Sequence, residues 1–192
     1  MRSTRFRLAA ALVASLTFLA VPVLAKVDIK VAFDKTFNFK EAKTWSWSEE
    51  PGHLMMARTQ DDKPDAVRAR LEPIVIDAVE QAMTQRGLQK ASSYKPALVM
   101  TYYVLLSTNM TAQTMGQFLP ATVNWGLPLF PPATQSLKYM HAGSLVLDLS
   151  ANGTVIWRGL ADTKIAPDTT DANREAIVRQ AVRELIKKLP TK

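Results

Sequence analysis

The sequence predicts an α+β protein, a two-layer sandwich in which two helices cover one face of a mixed, roughly five-stranded sheet. Three observations carry this. Apolar residues alternate with polar ones in short runs from Val27, Thr44 and Leu145, as half-buried strands require. Within 64–86 and 171–189 they recur instead at three- and four-residue spacing, which lays an apolar stripe along a helix. The order strand, strand, helix, strand, long loop, hairpin, helix lets both stripes be buried on one sheet face.

The chain opens with Arg2, Arg5 and Arg7, followed by an uncharged apolar run from Leu8 to Val21 that ends at Pro22. A membrane-spanning helix needs about 20 apolar residues, so this shorter run reads as a secretory signal. Val23-Leu24-Ala25 sets small residues at a cleavage position. Cleavage is expected after Ala25, leaving one domain over 26–192 and a periplasmic protein.

The net charge of +7 includes the three arginines of the leader, so the exported chain is only mildly basic. Nucleic-acid binding calls for Lys and Arg clustered on one face, and no nucleic-acid partner is expected. There is no cysteine, hence no disulfide and no thiol to carry a lipid. Stability must come from a core, and the length suits one of ordinary size.

In the first strand Val27, Ile29, Val31 and Phe33 share one face. Trp45 and Trp47 share a face of the second, which is expected to pair with the first and to end at a charged turn, Glu49-Glu50-Pro51-Gly52. Val67, Leu71, Ile74, Val75, Ala78, Ala82 and Met83 form the stripe of the first helix. Asp61 or Asp62 suits its cap, Pro64 its first turn and Gly87 its end, while Pro73 should kink it or mark the start of its regular part. Ala97–Leu106 is almost continuously apolar, as a strand at the middle of a sheet would be.

Leu145, Leu147 and Leu149 alternate up to Asn152-Gly153, and Val155 and Trp157 alternate after it, which predicts a hairpin. A plain two-residue turn would set Leu147 opposite Arg158 and mix the faces. A three-residue loop would pair Leu149 with Val155 and Leu147 with Trp157, so this register is expected, with Asp148 and Arg158 as diagonal surface neighbours in a weak ion pair. The closing helix, 171–189, carries Asp171 and Glu175 near its start and Arg183, Lys187 and Lys188 near its end, in accord with the helix dipole.

Several stretches, taken in order, resemble one family: VAFDKTFNFKEAKTWSW, QRGLQK, ALVMTYYV, GSLVLDL, VIWRG and KKLP. Together they are similar to the bacterial envelope family called domain of unknown function DUF4136, over roughly Val27 to Pro190. The Trp157-Arg158-Gly159 triplet is the most specific element. The resemblance implies an exported, often lipid-anchored protein with no assigned activity or catalytic residues. Lacking the lipid-bearing cysteine, this chain is expected to be soluble in the periplasm.

No catalytic signature is present, and the protein is expected not to be an enzyme. Ser92-Ser93-Tyr94-Lys95 matches the S-x-x-K pattern of penicillin-recognising enzymes, but Pro96 disfavours helix at Lys95 and no K-T-G accompanies it. His53 with Met55 and Met56, and Met140 with His141, pair imidazole with thioether. Methionine as a filler of core gaps explains them more simply, so no metal site or cofactor is expected. Trp45, Trp47 and Trp157 are read as core aromatics, and the basic residues of the last helix as a solvated face.

The segment that calls for a function is the apolar loop 108–139, nearly all of it in a run from Pro96 to Leu137 that has no charged residue. It holds Met110, Met115, Phe118 and Leu119, then Trp125, Leu129 and Phe130, and its prolines forbid a long regular element. Loops beyond about 12–15 residues in compact domains are usually functional or disordered, and aromatic, uncharged composition disfavours disorder. These seven residues are the candidate binding surface, for another envelope protein or, alternatively, a small apolar ligand or lipid carried beneath them. A lid over the sheet is a third reading. Shallow membrane insertion is disfavoured because no Lys or Arg flanks the tip.

Overall fold

A computed structural model describes residues 26–56, 64–91, 95–106, 143–163 and 169–190. Six strands and two helices follow in the order β1 (Val27–Phe33), β2 (Thr44–Met56), α1 (Pro64–Gln85), β3 (Gln89–Lys90), β4 (Leu98–Leu106), β5 (Ser144–Ala151), β6 (Thr154–Thr163) and α2 (Asp171–Lys187). The α+β class is as the sequence predicts. The extra strand is the two-residue β3, too short to leave a periodic trace.

The sheet order is β1-β6-β5-β4-β2-β3. Neighbours from β1 to β4 are antiparallel, whereas β2 runs parallel to both β4 and β3. The expected pairing of the first two strands is therefore wrong. β1 pairs with β6, and β2 lies three strands beyond it, on the far side of β4. Alternation reports which face a strand buries and carries no information about its neighbour.

The second strand also does not end at Glu49-Glu50-Pro51-Gly52. Pairing with β4 runs from Trp45↔Leu98 to Trp47↔Met100, skips, and resumes at Gly52↔Tyr102. The charged turn is an irregularity inside a longer strand, which such interruptions allow without ending the pairing.

The hairpin forms, with a different register. Asn152 and Gly153 both have positive φ, 50° and 76°, as a two-residue type I′ turn requires. Ala151 faces Thr154 and Ser150 faces Val155, then the register shifts by one residue so that Leu149 meets Trp157 and Asp148 meets Arg158. The extra residue, Ile156, is a bulge in β6. Turn and bulge together keep the faces separate, a combination that a single-device choice between loop lengths overlooks.

Both helices pack on the face carrying Leu145, Leu147, Leu149, Trp157 and Ala161, which joins Val75, Val79, Met83, Val182, Leu185 and Ile186 in one core cluster. α1 passes through Pro73 as one helix. It ends in a Schellman motif: Leu88 N–H bonds to Met83 O and Gly87 N–H to Thr84 O, with Gly87 at φ 78°. Leu88 and Met83 are both buried, which supplies the apolar contact of that motif. Thr170 caps α2, its hydroxyl accepting from Asn173 N–H. Arg179 bridges the helices, bonding Asp77 at 2.6 Å and Glu175 at 2.8 Å. Part of the basic face of α2 is thus tied into ion pairs.

Candidate functional site

The strand periodicity that turns leucines toward the helices turns a second set of side chains the other way. Asp148 and Arg158 stand on that second face, directly opposite each other. Arg158 donates from Nε to Asp148 Oδ1 at 2.7 Å and from its terminal nitrogen to Oδ2 at 2.6 Å. The fork geometry satisfies both carboxylate oxygens. The surface ion pair expected from the sequence is instead buried, with side-chain exposures of 4% and 1%. The bulge at Ile156 accounts for the changed pairing, since it converts diagonal neighbours into a facing pair.

Around the pair lie Val146, Leu160 and Tyr103, all buried, with Ala32 beside Arg158 across β1. His53 stacks on Tyr103 with ring centroids 5.0 Å apart. Burial pulls the Asp148 carboxyl upward against the Arg158 guanidinium that holds it. Burial likewise pushes the Tyr103 hydroxyl up to about 12, assisted by the Asp148 charge. No helix among the described residues covers this face, because both lie on the other side.

The Trp157-Arg158-Gly159 triplet acquires a physical account here. Trp157 is fully buried toward the helices, Arg158 points the opposite way into the ion pair, and Gly159 returns to the helix face. A Cβ at Gly159 would lie 2.6 Å from the Trp157 ring and 2.8 Å from Leu185 Cδ2, so any side chain there would hold α2 off the sheet. The three residues serve packing on two faces at once.

A cavity of about 70 Å³ lies at one end of the molecule, between both helices and the sheet. Its wall is apolar, from Leu71 and Val75 of α1, Ile177, Val178 and Ala181 of α2, and Val104 and Leu145 of the sheet. Arg70 and Arg174 also line it, together with Thr163. Thr163 is 8% exposed, and its hydroxyl oxygen has no hydrogen-bond partner among the described residues. Arg70 pairs with Asp171 at 3.2 Å, and Arg174 donates from Nε to Thr169 O.

The seven candidate residues Met110, Met115, Phe118, Leu119, Trp125, Leu129 and Phe130 lie outside the described residues, as do Met140 and His141. Trp45 and Trp157 are core aromatics, and Trp47 is partly buried with its indole N–H donated to Glu80. Among the described residues no three His, Asp or Glu side chains group to hold a metal ion, and no helix is long and apolar enough to cross a membrane. Sequence reading missed the cavity altogether. Its lining comes from five separate elements, and only the apolar spacing of the helices hinted at it.

The family model for domain of unknown function DUF4136 matches residues 29–191. The chain belongs to that family. A crystal structure of a DUF4136 family protein from Bacteroides thetaiotaomicron is similar at 16% identity and TM-score 0.53, covering 86% of this chain and 96% of that one. This likeness supports the fold. PelC from Paraburkholderia phytofirmans, crystallised as a dodecamer, is more distant at 10% identity and TM-score 0.38, over 83% of this chain and 97% of that one. A minor lipoprotein from Acinetobacter baumannii matches at 10% identity and TM-score 0.24, over 77% and 87%. No curated protein matches the chain in sequence.

Proposed function

We propose that this DUF4136 protein is exported to the periplasm, where it acts by interaction with another envelope protein and not by catalysis. The observation that carries the reading is the anchorage of the uncharged segment. β4 and β5 are adjacent, with Leu105 facing Ser144, so the described residues on either side of the segment meet at a single rung. The intervening residues include the aromatic, charge-free stretch around Trp125. Long excursions held at both ends by a rigid sheet are where proteins commonly place recognition residues. The basic, then apolar, leader up to Ala25 supports export.

The test is photocrosslinking in living cells with a reactive amino acid in place of Trp125, followed by mass spectrometry. A discrete protein adduct that disappears when 108–139 is shortened is the expected result. Internal crosslinks alone would overturn the docking reading in favour of a lid. Sequencing the N-terminus of protein released from the periplasm tests export, with Lys26 expected first.

A further inference from the structure

β1 is the outermost strand on one side of the sheet and pairs with β6 along its whole length, from Val27↔Thr163 to Phe33↔Trp157, without a shift. Its other side meets no strand among the described residues. Asp34 donates its N–H to the Ile156 carbonyl at 2.8 Å. Backbone direction alternates along an antiparallel strand, so Asp28, Lys30 and Ala32 also turn their backbone groups to β6, while Val27, Ile29 and Val31 turn theirs outward. A regular seven-residue strand without proline, its backbone groups directed outward, is a template for a further strand. At the opposite margin β3 is only two residues long, one of the ways in which proteins avoid such pairing.

The side chains of β1 say which strand fits. Val27, Ile29, Val31 and Phe33 are half-buried hydrophobics at the margin of the core, so an added strand should be apolar at alternate positions on that face. On the other face Asp28 and Lys30 stand 3.8 Å apart, with side chains 65% and 40% exposed. β1 itself meets both needs when it runs antiparallel to the β1 of a second copy, across a two-fold axis at Ile29. Val27 then faces Val31 of that copy and Asp28 faces its Lys30, with the reciprocal contacts supplied by symmetry. The registers that overlap the greater part of the strand place the axis at Ile29, Lys30 or Val31. An axis at Lys30 sets the two lysines against each other, and one at Val31 sets Asp28 against Asp34. The Ile29 register alone of these brings opposite charges face to face, at the non-hydrogen-bonded positions where side chains lie closest.

We propose that the exported chain forms a two-fold dimer through β1, which joins two sheets into one, with Asp28 of each copy paired to Lys30 of the other. The outward backbone groups of Val27, Ile29 and Val31 find their partners in the same ladder. The interface uses none of the residues assigned above to docking, and it stands or falls apart from that role.

The test is sedimentation of the full exported chain over a range of concentrations, where a concentration-dependent dimer is expected. Lys30→Asp sets carboxylates face to face and should raise the dimer dissociation constant about tenfold. Asp28→Lys should do the same, and the double exchange of Asp28→Lys with Lys30→Asp should restore dimerisation. Both positions are exposed, and circular dichroism checks that each variant keeps its fold. The register is read separately with thiols, since the chain has no cysteine of its own. Facing residues at these positions lie about 4.5 Å apart at Cα, within disulfide reach. Oxidation of a mixture of Asp28→Cys and Lys30→Cys proteins should therefore give a linked dimer containing one of each, and either variant alone should crosslink far less. A monomer at every concentration, a dimer indifferent to both single exchanges, or crosslinking no greater in the mixture than in the separate variants would overturn the proposal.

Discussion

The two faces of the β5–β6 hairpin are built from alternate residues of the same strands, yet they are held together by different physics. On the helix side Leu145, Leu147 and Leu149 meet Ala161, Gly159 and Trp157, a contact of hydrocarbon with hydrocarbon. On the other side Val146 and Leu160 flank Asp148 and Arg158, where two charges have left water and found each other. The first face tolerates error by degrees, because each lost methylene costs a fraction of the whole. The second does not, since a buried charge either has its partner or is stranded.

The largest expected effect breaks the second face. Arg158→Met should destabilise the protein by about 3–5 kcal/mol by leaving the Asp148 carboxylate buried without its partner. Urea unfolding would show it as a lowered midpoint. The double change Asp148→Leu with Arg158→Met should recover most of that loss, because no stranded charge remains. On the helix face Leu147→Ala should cost about 2–5 kcal/mol through an unfilled cavity, and no second substitution in β6 should rescue it. Equal behaviour of the two pairs would dissolve the contrast.

Gly159→Ala probes the helix face by overfilling it, with about 1–3 kcal/mol expected from the clash with Trp157 and Leu185. Thr170→Ala tests whether α2 depends on its cap as well as on its packing, at about 1 kcal/mol.

A smaller, sharper comparison uses adjacent tyrosines. Tyr102 points to the helices and Tyr103 to the ion pair, and burial pushes both hydroxyls from 10.0 up to about 12. A raised phenol stabilises the fold fully below pH 10, and that contribution is lost as pH climbs through about 12. Absorbance titration of Tyr102→Phe and Tyr103→Phe should each remove one late-ionising group. A normal titration for Tyr103 alone would mean that the second face is wetter than the first. At the rim of the helix face, Lys90 and Trp47 hold the Glu80 carboxyl below its usual 4.5. Its contribution is complete above pH 4.5 and falls away as pH drops through the lowered value, so Glu80→Gln should flatten the acid limb of the stability curve.

Much of this architecture was legible in periodicity. The stripes of α1 and α2, the glycine that ends α1, the apolar β4 and the turn at Asn152-Gly153 all report local preferences that packing then obeys. What stayed hidden depends on neighbours far away in the chain. β1 could not announce β6 as its partner, because Ile29 and Val31 would satisfy any apolar neighbour. The hairpin register turned on Ile156, whose extra position in β6 has no distinguishing composition. Asp148 and Arg158 looked like surface residues, since the nine residues between them say nothing about exposure. The candidate residues around Trp125 were singled out by composition alone, and the cavity beside Thr163 was hinted at only by the apolar spacing of the helices.

The interruption in β2 has a further consequence. β3 pairs only with Thr44 and Trp45, so the remainder of β2 is a sheet edge among the described residues. A straight, apolar edge invites another chain to add a strand, the first step toward aggregation. Here the edge is broken by Ser48-Glu49-Glu50-Pro51, which brings two carboxylates and a residue without an N–H to that margin. Beyond it, Arg68 donates to the Gly52 carbonyl at 2.6 Å and occupies an acceptor that a stray strand would need. What reads in the sequence as the end of a strand is a guard on its open side.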